Sequence, residues 1–174
     1  MIRILFMLAA TTVLASSCSH RYYIVRHAEK DTPSGPSNMM TNDPALSEAG
    51  KVRALVLRDQ VKNKHVRYIF STNTTRTIST ATPLSEATGI KIELYDSKDS
   101  LKQFLSRLKT IHRGTVVIVG HSNTVDDIVN GLCNAIKVPG DLPDSQYDSL
   151  FIVTYRGKKI KFTRLKYGYP SNPE

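Results

Sequence analysis

The chain has 174 residues, of which 40% are apolar, and carries a formal net charge of +9. That length and apolar content exclude a disordered chain, because one domain of this size buries most of its unfolded surface, and two cysteines exclude a disulfide-stapled framework. The positive balance suits anionic partners: nucleic acid, anionic lipid or phosphorylated molecules.

Residues 1–17 read as an export signal. Arg3 precedes an apolar run from Ile4 to Leu14, too short to cross a bilayer as a helix, and the small residues Ala15, Ser16 and Ser17 lead into Cys18. Small residues directly before a cysteine resemble the bacterial lipoprotein signal, here with Ala15 where an aliphatic residue is usual. The resemblance implies cleavage before Cys18, a lipidated Cys18, and export to the cell envelope with the membrane as a partner. Simple secretion and a retained N-terminal helix are the alternatives. With Cys18 lipidated, Cys133 has no disulfide partner. Its helical spacing with Val125, Ile128, Leu132 and Ile136 reads as a small core residue, not a nucleophile.

Residues 21–169 form the expected domain. "YYIVRH" is an apolar, β-rich strand, and "LSEAGKVRALVLRDQV" is a helix capped by Ser47 with Val52, Leu55 and Val56 on one face. "VRYIFST" is a second strand, followed by a helix over "TTRTISTATPLSEATG" that is kinked at Pro83 and stopped at Gly89. "IKIELY" is a third strand. A helix from Asp99 to His112 places Leu101, Phe104, Leu105 and Leu108 at helical spacing, with Gly114 after it as the stop. "TVVIVGHS" is the most apolar strand and leads into the helix holding Val125 to Ile136. "VPGDLPDS" is a loop, and "SLFIVTY", "RGKK" and "IKFTRL" form a terminal hairpin. The basic residues of "YRGKKIKFTRLKYG" alternate with Ile160, Phe162 and Leu165, as in a strand with one solvated face. Four strand-helix units in series predict an α/β fold, a three-layer α/β/α sandwich with a mostly parallel central sheet. The irregular stretch from Asp31 to Ala45 follows the first strand and is expected to line a site.

In such a sheet the ligand crevice lies beyond the carboxyl ends of the strands. Arg26 and His27 end the first strand, Ser71 and Thr72 end the second with Arg76 one turn into the next helix, and Gly120 and His121 end the fourth. Two guanidinium groups and two imidazoles on one edge suit phosphate, which arginine meets with paired donors while staying charged. One imidazole, kept neutral by the nearby cations, is able to attack phosphorus, and the other helps the arginines stabilise the phosphoryl oxygens. No metal-ligand spacing is present.

"VRHAEK" at 25–30, "LSEAG" at 46–50, "IFSTNTTRTISTA" at 69–81 and "VVIVGHSNT" at 116–124 together resemble the four ordered motifs of the histidine phosphatase superfamily, with its phosphoglycerate-mutase-like fold. The resemblance implies a metal-independent phosphomonoester hydrolase without cofactors, in which His27 becomes a phosphohistidine. Arg26, Arg76 and His121 complete the phosphate pocket, with Ser122 and Glu29 beside the substrate. The general acid is expected at Asp96, just beyond the third strand, with Glu29 as the rival. Ala28 stands where the family more often has glycine. The expected substrate is a phosphorylated small molecule or phosphoprotein. The single helix between the third strand and His121 leaves the pocket open, which favours hydrolysis over phosphoryl return to a sugar acid. The rival reading is a phosphate or phosphoprotein binding module without turnover. A nucleic-acid surface on the basic hairpin is disfavoured by the export signal and the few exposed aromatics.

Overall fold

The computed structural model describes residues 19–31, 43–96 and 100–171. The expected signal segment, Cys18 and most of the Asp31–Ala45 loop lie outside the described residues. Ten elements follow in order: β1 (Ser19–Arg26), α1 (Glu48–Val61), β2 (Val66–Ser71), α2 (Thr75–Thr88), β3 (Ile92–Leu94), α3 (Leu101–Lys109), β4 (Gly114–Gly120), α4 (Val125–Cys133), β5 (Ser149–Arg156) and β6 (Lys159–Lys166). The strands form one sheet in the order β3-β2-β4-β1-β5-β6. Its first four members are parallel, β5 runs antiparallel to β1, and β6 runs antiparallel to β5 and so in the direction of the first four. This is the mostly parallel α/β sheet expected, closed on one side by the terminal hairpin.

The alternation of side chains along β1 explains how the sheet is covered. Tyr22 and Ile24 join Val116, Ile118, Phe104, Leu108, Ile128 and Leu132 in one core, against α3 and α4. Tyr23 and Val25 join Val117, Val119, Leu57, Val61 and Leu84 in the other, against α1 and α2. Both faces of β1 and β4 are therefore dry, which is why their sequences are continuous apolar runs.

The helices depart from expectation in three places. On α1 the residues turned inward are Gly50, Arg53, Ala54, Leu57 and Val61, while Val52 and Leu55 are 43% and 41% exposed. Periodicity misassigned this face because the buried position 53 is an arginine, whose guanidinium is fully engaged by partners described below. The helix expected over Asp99–His112 is α3, ending at Lys109 with Thr110 as its cap, and Gly114 opens β4 at φ 82° instead of stopping the helix. Finally, Ile136 is 79% exposed, because α4 ends at Cys133 with Asn134 in the left-handed region at φ 50°. Cys133 itself is buried and free. Ser47 caps α1 as expected by accepting from the Gly50 amide, and Gly89 caps α2 at φ 71°.

Gly50 has a specific reason to be glycine. A Cβ there would stand 2.2 Å from the carbonyl oxygen of Glu29, two residues past His27. The absent side chain lets α1 lie directly against the loop leaving β1, and the Ser47 amide donates to that same Glu29 carbonyl at 3.0 Å.

Candidate active site

The two central strands deliver the two histidines. β1 and β4 are paired to their ends, Arg26 opposite Gly120, so His27 and His121 leave the sheet side by side. The His27 amide donates to the Gly120 carbonyl at 2.8 Å, extending the ladder to the histidine itself. The ring centroids of His27 and His121 are 5.5 Å apart.

His27 is buried, and its Nδ1 lies 2.8 Å from the Ala28 carbonyl oxygen. A carbonyl only accepts, so Nδ1 carries the proton and the lone pair stands on Nε2. Burial, with the charges of Arg26 and Arg76 added to it, lowers the His27 imidazole to about 3. The ring is neutral at neutral pH. The Ala28 amide donates to Thr80 Oγ1 at 2.9 Å, which ties the loop after β1 to α2.

His121 is oriented by a chain of hydroxyl groups. Its Nε2 lies 2.8 Å from Thr72 Oγ1, Thr72 Oγ1 donates to Thr77 Oγ1 at 3.0 Å, and Thr77 Oγ1 is within 2.9 Å of the Thr72 carbonyl. Because the Thr72 hydroxyl proton is committed to Thr77, it accepts from His121 Nε2–H. That leaves Nδ1 as an acceptor, 3.4 Å from Nη2 of Arg76. Burial, followed by the charges of Arg76 and Arg26, lowers His121 to about 4.

Arg76 sits in the first turn of α2 and bridges two partners. Nη2 faces His121, and Nη1 lies 3.2 Å from a carboxylate oxygen of Asp43. The other Asp43 oxygen accepts from the Thr75 amide at 2.7 Å and the Thr75 hydroxyl at 2.8 Å. Asp43 thus caps α2 from another segment, where Thr74 makes no side-chain cap bond. Burial opposes the Asp43 charge, but the Thr75 bonds and Arg76 outweigh it and hold the carboxyl below its usual range.

Arg26 is 3% exposed. Its Nη1 donates to the carbonyls of Pro143, Asp144 and Gln146 at 2.9, 3.0 and 3.3 Å, and Nη2 pairs with the Asp144 carboxylate at 3.3 Å. Its guanidinium carbon lies 4.3 Å from the centre of the Tyr147 ring, and that ring is 5.9 Å from His27. Arg26 Nε is buried and has no hydrogen-bond partner among the described residues. A buried donor without a partner suits an anion-binding role. Arg26 therefore organises the 143–147 loop as well as adding charge to the pocket.

The remaining expected residues fall differently. Glu29 is held by Arg53, which gives Nε to both carboxylate oxygens at 2.9 Å and Nη2 to one of them at 2.6 Å. The same guanidinium donates to the carbonyls of Tyr167 and Tyr169, so Glu29 belongs to a buried tie between α1 and the C-terminal segment. Ser122 is half-buried, and its carbonyl accepts from the Leu142 amide at 3.0 Å. Asp96 is exposed at the carboxyl end of β3. That strand lies three positions across the sheet from β1, about 14 Å at the usual strand spacing. Thr72, expected only as a strand end, and Asp43, within the stretch Asp31–Ala45 expected to line a site, are pocket residues to which the sequence assigned no role, and Tyr147 was not singled out at all. Asp43 and Tyr147 stand in irregular segments without periodicity, although both segments follow or precede strands that carry site residues. Among the described residues, no group of three or more His, Cys, Asp or Glu side chains is arranged to hold a metal ion.

The model of the histidine phosphatase superfamily (branch 1) matches residues 22–97. No curated protein matches the chain. Solved structures with the same fold include protein histidine phosphatase SixA complexed with tungstate, at TM-score 0.63 and 14% identity, covering 84% of this chain and 96% of that one. A SixA phosphohistidine phosphatase candidate from Agrobacterium tumefaciens is similar at TM-score 0.58 and 19% identity, covering 86% and 98%. Phosphoserine phosphatase in complex with 3-phosphoglyceric acid from Entamoeba histolytica is similar at TM-score 0.62 and 14% identity, covering 87% and 98%.

Proposed function

From the match of residues 22–97 to the histidine phosphatase superfamily model, we propose that the chain belongs to that superfamily and hydrolyses phosphomonoesters through a phosphohistidine on His27. One observation carries the reading: His27 Nδ1 is committed to the Ala28 carbonyl, so Nε2 is left unprotonated beside His121 and Arg76. Nε2 attacks phosphorus, the P–O bond to the leaving group breaks, and the phosphoryl group passes to the imidazole. Arg76 and His121 hold the equatorial oxygens, with Arg26 adding positive charge to the pocket. His121 is neutral before substrate arrives, and a phosphate dianion next to Nδ1 favours its protonated, donating form. Water then attacks the phosphohistidine and releases phosphate.

The leaving group requires a proton from a carboxyl group. The engagement of Glu29 with Arg53, and the pairing of Asp43 with Arg76, which favours the ionised Asp43 carboxylate, speak against either in that role. We propose Asp96 as the proton's source on one ground, the resemblance of the residue just beyond the third strand to the family's acid; because β3 stands three strands from β1, this role requires the leaving group to extend along the sheet edge toward β3. The substrate class is a phosphorylated small molecule or phosphoprotein, in keeping with a pocket bounded by loops and, among the described residues, no helix between β3 and β4 other than α3. We further propose that residues 1–17 are removed, that Cys18 is lipidated, and that the domain works at the cell envelope. Mass spectrometry of the mature N-terminus checks this last point.

The test of the mechanism is trapping. Brief reaction with labelled para-nitrophenyl phosphate and an alkaline quench is expected to leave acid-labile label on the wild type. His27→Ala should trap none and lose at least about 10³-fold in turnover. Turnover that survives the substitution refutes the mechanism. Asp96→Asn should slow alkyl phosphates while sparing para-nitrophenyl phosphate, whose leaving group departs without a proton; equal losses on both overturn the assignment of the acid.

A further inference from the structure

The two ends of this sheet differ in exposed charge: carboxylates accompany Arg26, Arg76 and Lys166 at one end, and cations dominate the other. At the end that carries the pocket stand the carboxylates Asp43, Asp96, Asp141 and Asp144, all exposed. At the opposite end lie the start of β1, the α1–β2 connection, the α3–β4 connection and the β5–β6 turn. There, every charged residue in 62–67, 109–114 and 154–161 is lysine or arginine. Lys64, Arg113, Arg156, Lys158, Lys159 and Lys161 are exposed. Of this edge, Lys62 has its charge offset by Asp59 at 2.7 Å.

Strand register brings these segments together. Ser19 pairs with Arg156, Arg156 with Lys159, Arg21 with Thr154, and Thr154 with Lys161. On the other side of β1, His20 pairs with Gly114, next to Arg113. The basic tip of the hairpin is thus the immediate neighbour of Ser19, the first described residue. Five residues before Ser19 the sequence has Leu14, the last of the apolar run Ile4–Leu14, so at most about 17 Å of extended chain separates that run from this edge.

We infer that the edge formed by the start of β1 and the β5–β6 turn rests on anionic lipid headgroups, and that the catalytic pocket consequently opens away from the membrane. The choice of lipid over other polyanions rests on the proposed N-terminal attachment, whether through a lipidated Cys18 or through the apolar run itself. Juxtamembrane lysines and arginines are attracted to an anionic leaflet within a Debye length. β1 runs for eight residues from Ser19 to Arg26, about 26 Å at the usual rise, so His27 stands that far from the contact edge. A phosphoester in the same membrane is out of reach of His27 in this orientation. The substrate comes from the aqueous side, as a soluble phosphoester or the phosphorylated side chain of another protein.

Hydrogen exchange on the full chain reconstituted in vesicles tests this. With phosphatidylglycerol-containing vesicles, amides of 63–65, 112–114 and 157–159 should exchange several-fold more slowly than with phosphatidylcholine alone, and about 0.5 M salt should remove the difference. K158E/K159E/K161E should abolish the lipid-charge dependence and leave para-nitrophenyl phosphate turnover unchanged. Equal exchange on both lipids, or slowing at 141–148 instead, overturns the orientation; slowing by added RNA but not by vesicles identifies the edge as a nucleic-acid surface and overturns the lipid assignment. Turnover is read in the same samples. Its absence in the wild type refutes the phosphatase reading and leaves the lipid contact to be judged by exchange alone.

Discussion

Two titrating rings dominate the chemistry at the scale of single residues. His27 and His121 are both lowered well below an ordinary histidine, to about 3 and about 4, by burial and by the arginines. The proposed nucleophile, His27, therefore stays neutral into acid, and kcat/KM, after correction for substrate phosphate titrating at about 6, should hold its value down to about pH 5 and fall only below it. A fall centred near about 6.5 would mean that His27 is not desolvated. Stability follows with a definite sign. The unfolded chain takes up protons at these rings below about pH 6.5, before the folded chain does, so stability declines as pH falls from about 6.5 toward about 3. Urea midpoints should drop across that window, and drop less in His27→Ala. Asp43 is the other residue with a separable effect. Asp43→Ala frees Arg76 and uncaps α2, so KM should rise more than kcat falls, and stability should drop by about 1 kcal/mol. Asp43→Asn keeps an acceptor for the Thr75 amide and should recover stability while KM stays high.

The helices and strands show why part of the site was legible from the amino-acid sequence. Arg26, His27, Arg76 and His121 stand at strand ends or one turn into a helix, and the apolar runs before them mark those positions without any tertiary information. Three of the four are tied together by short contacts around His121 and Arg76. The inward face of α1 was not legible, because hydrophobic spacing cannot register an arginine that is buried through its partners. The Arg53–Glu29 tie is formed between residues 24 apart and closed by carbonyls more than a hundred residues further on. Asp43 and Tyr147 were hidden for a related reason: they act through loops whose course depends on what they touch. Gly50 links the element scale to the site. Gly50→Ala forces α1 off the Glu29 carbonyl, and overpacking of this kind costs about 1–3 kcal/mol. The thermal midpoint should fall by a few degrees per kcal/mol, and kcat should fall with it, because the displaced backbone carries His27. Unchanged kcat would show that the loop adjusts independently of the nucleophile.

For the molecule as a whole, the strand-helix alternation was enough to predict a mostly parallel α/β sheet, whereas the strand order was not, since it depends on which edges accept each crossover. Among the described residues, the connection from β3 to β4 contains α3 as its one regular element, with no further helix between those strands to cover the pocket. Purified protein should accordingly hydrolyse phosphoesters and show no interconversion of phosphoglycerates; measurable mutase turnover would contradict the open-pocket argument. The hairpin at the end of the chain has a further consequence. Because β5 runs against its neighbours, the segment that enters it borders the catalytic groups, while the tight reversal after it lies at the far pole. On the proposed membrane orientation, lengthening or recharging that reversal retunes where the protein sits without disturbing what it does, and variation in 141–148 alters selectivity without moving its berth. A single hairpin lets address and chemistry diversify independently.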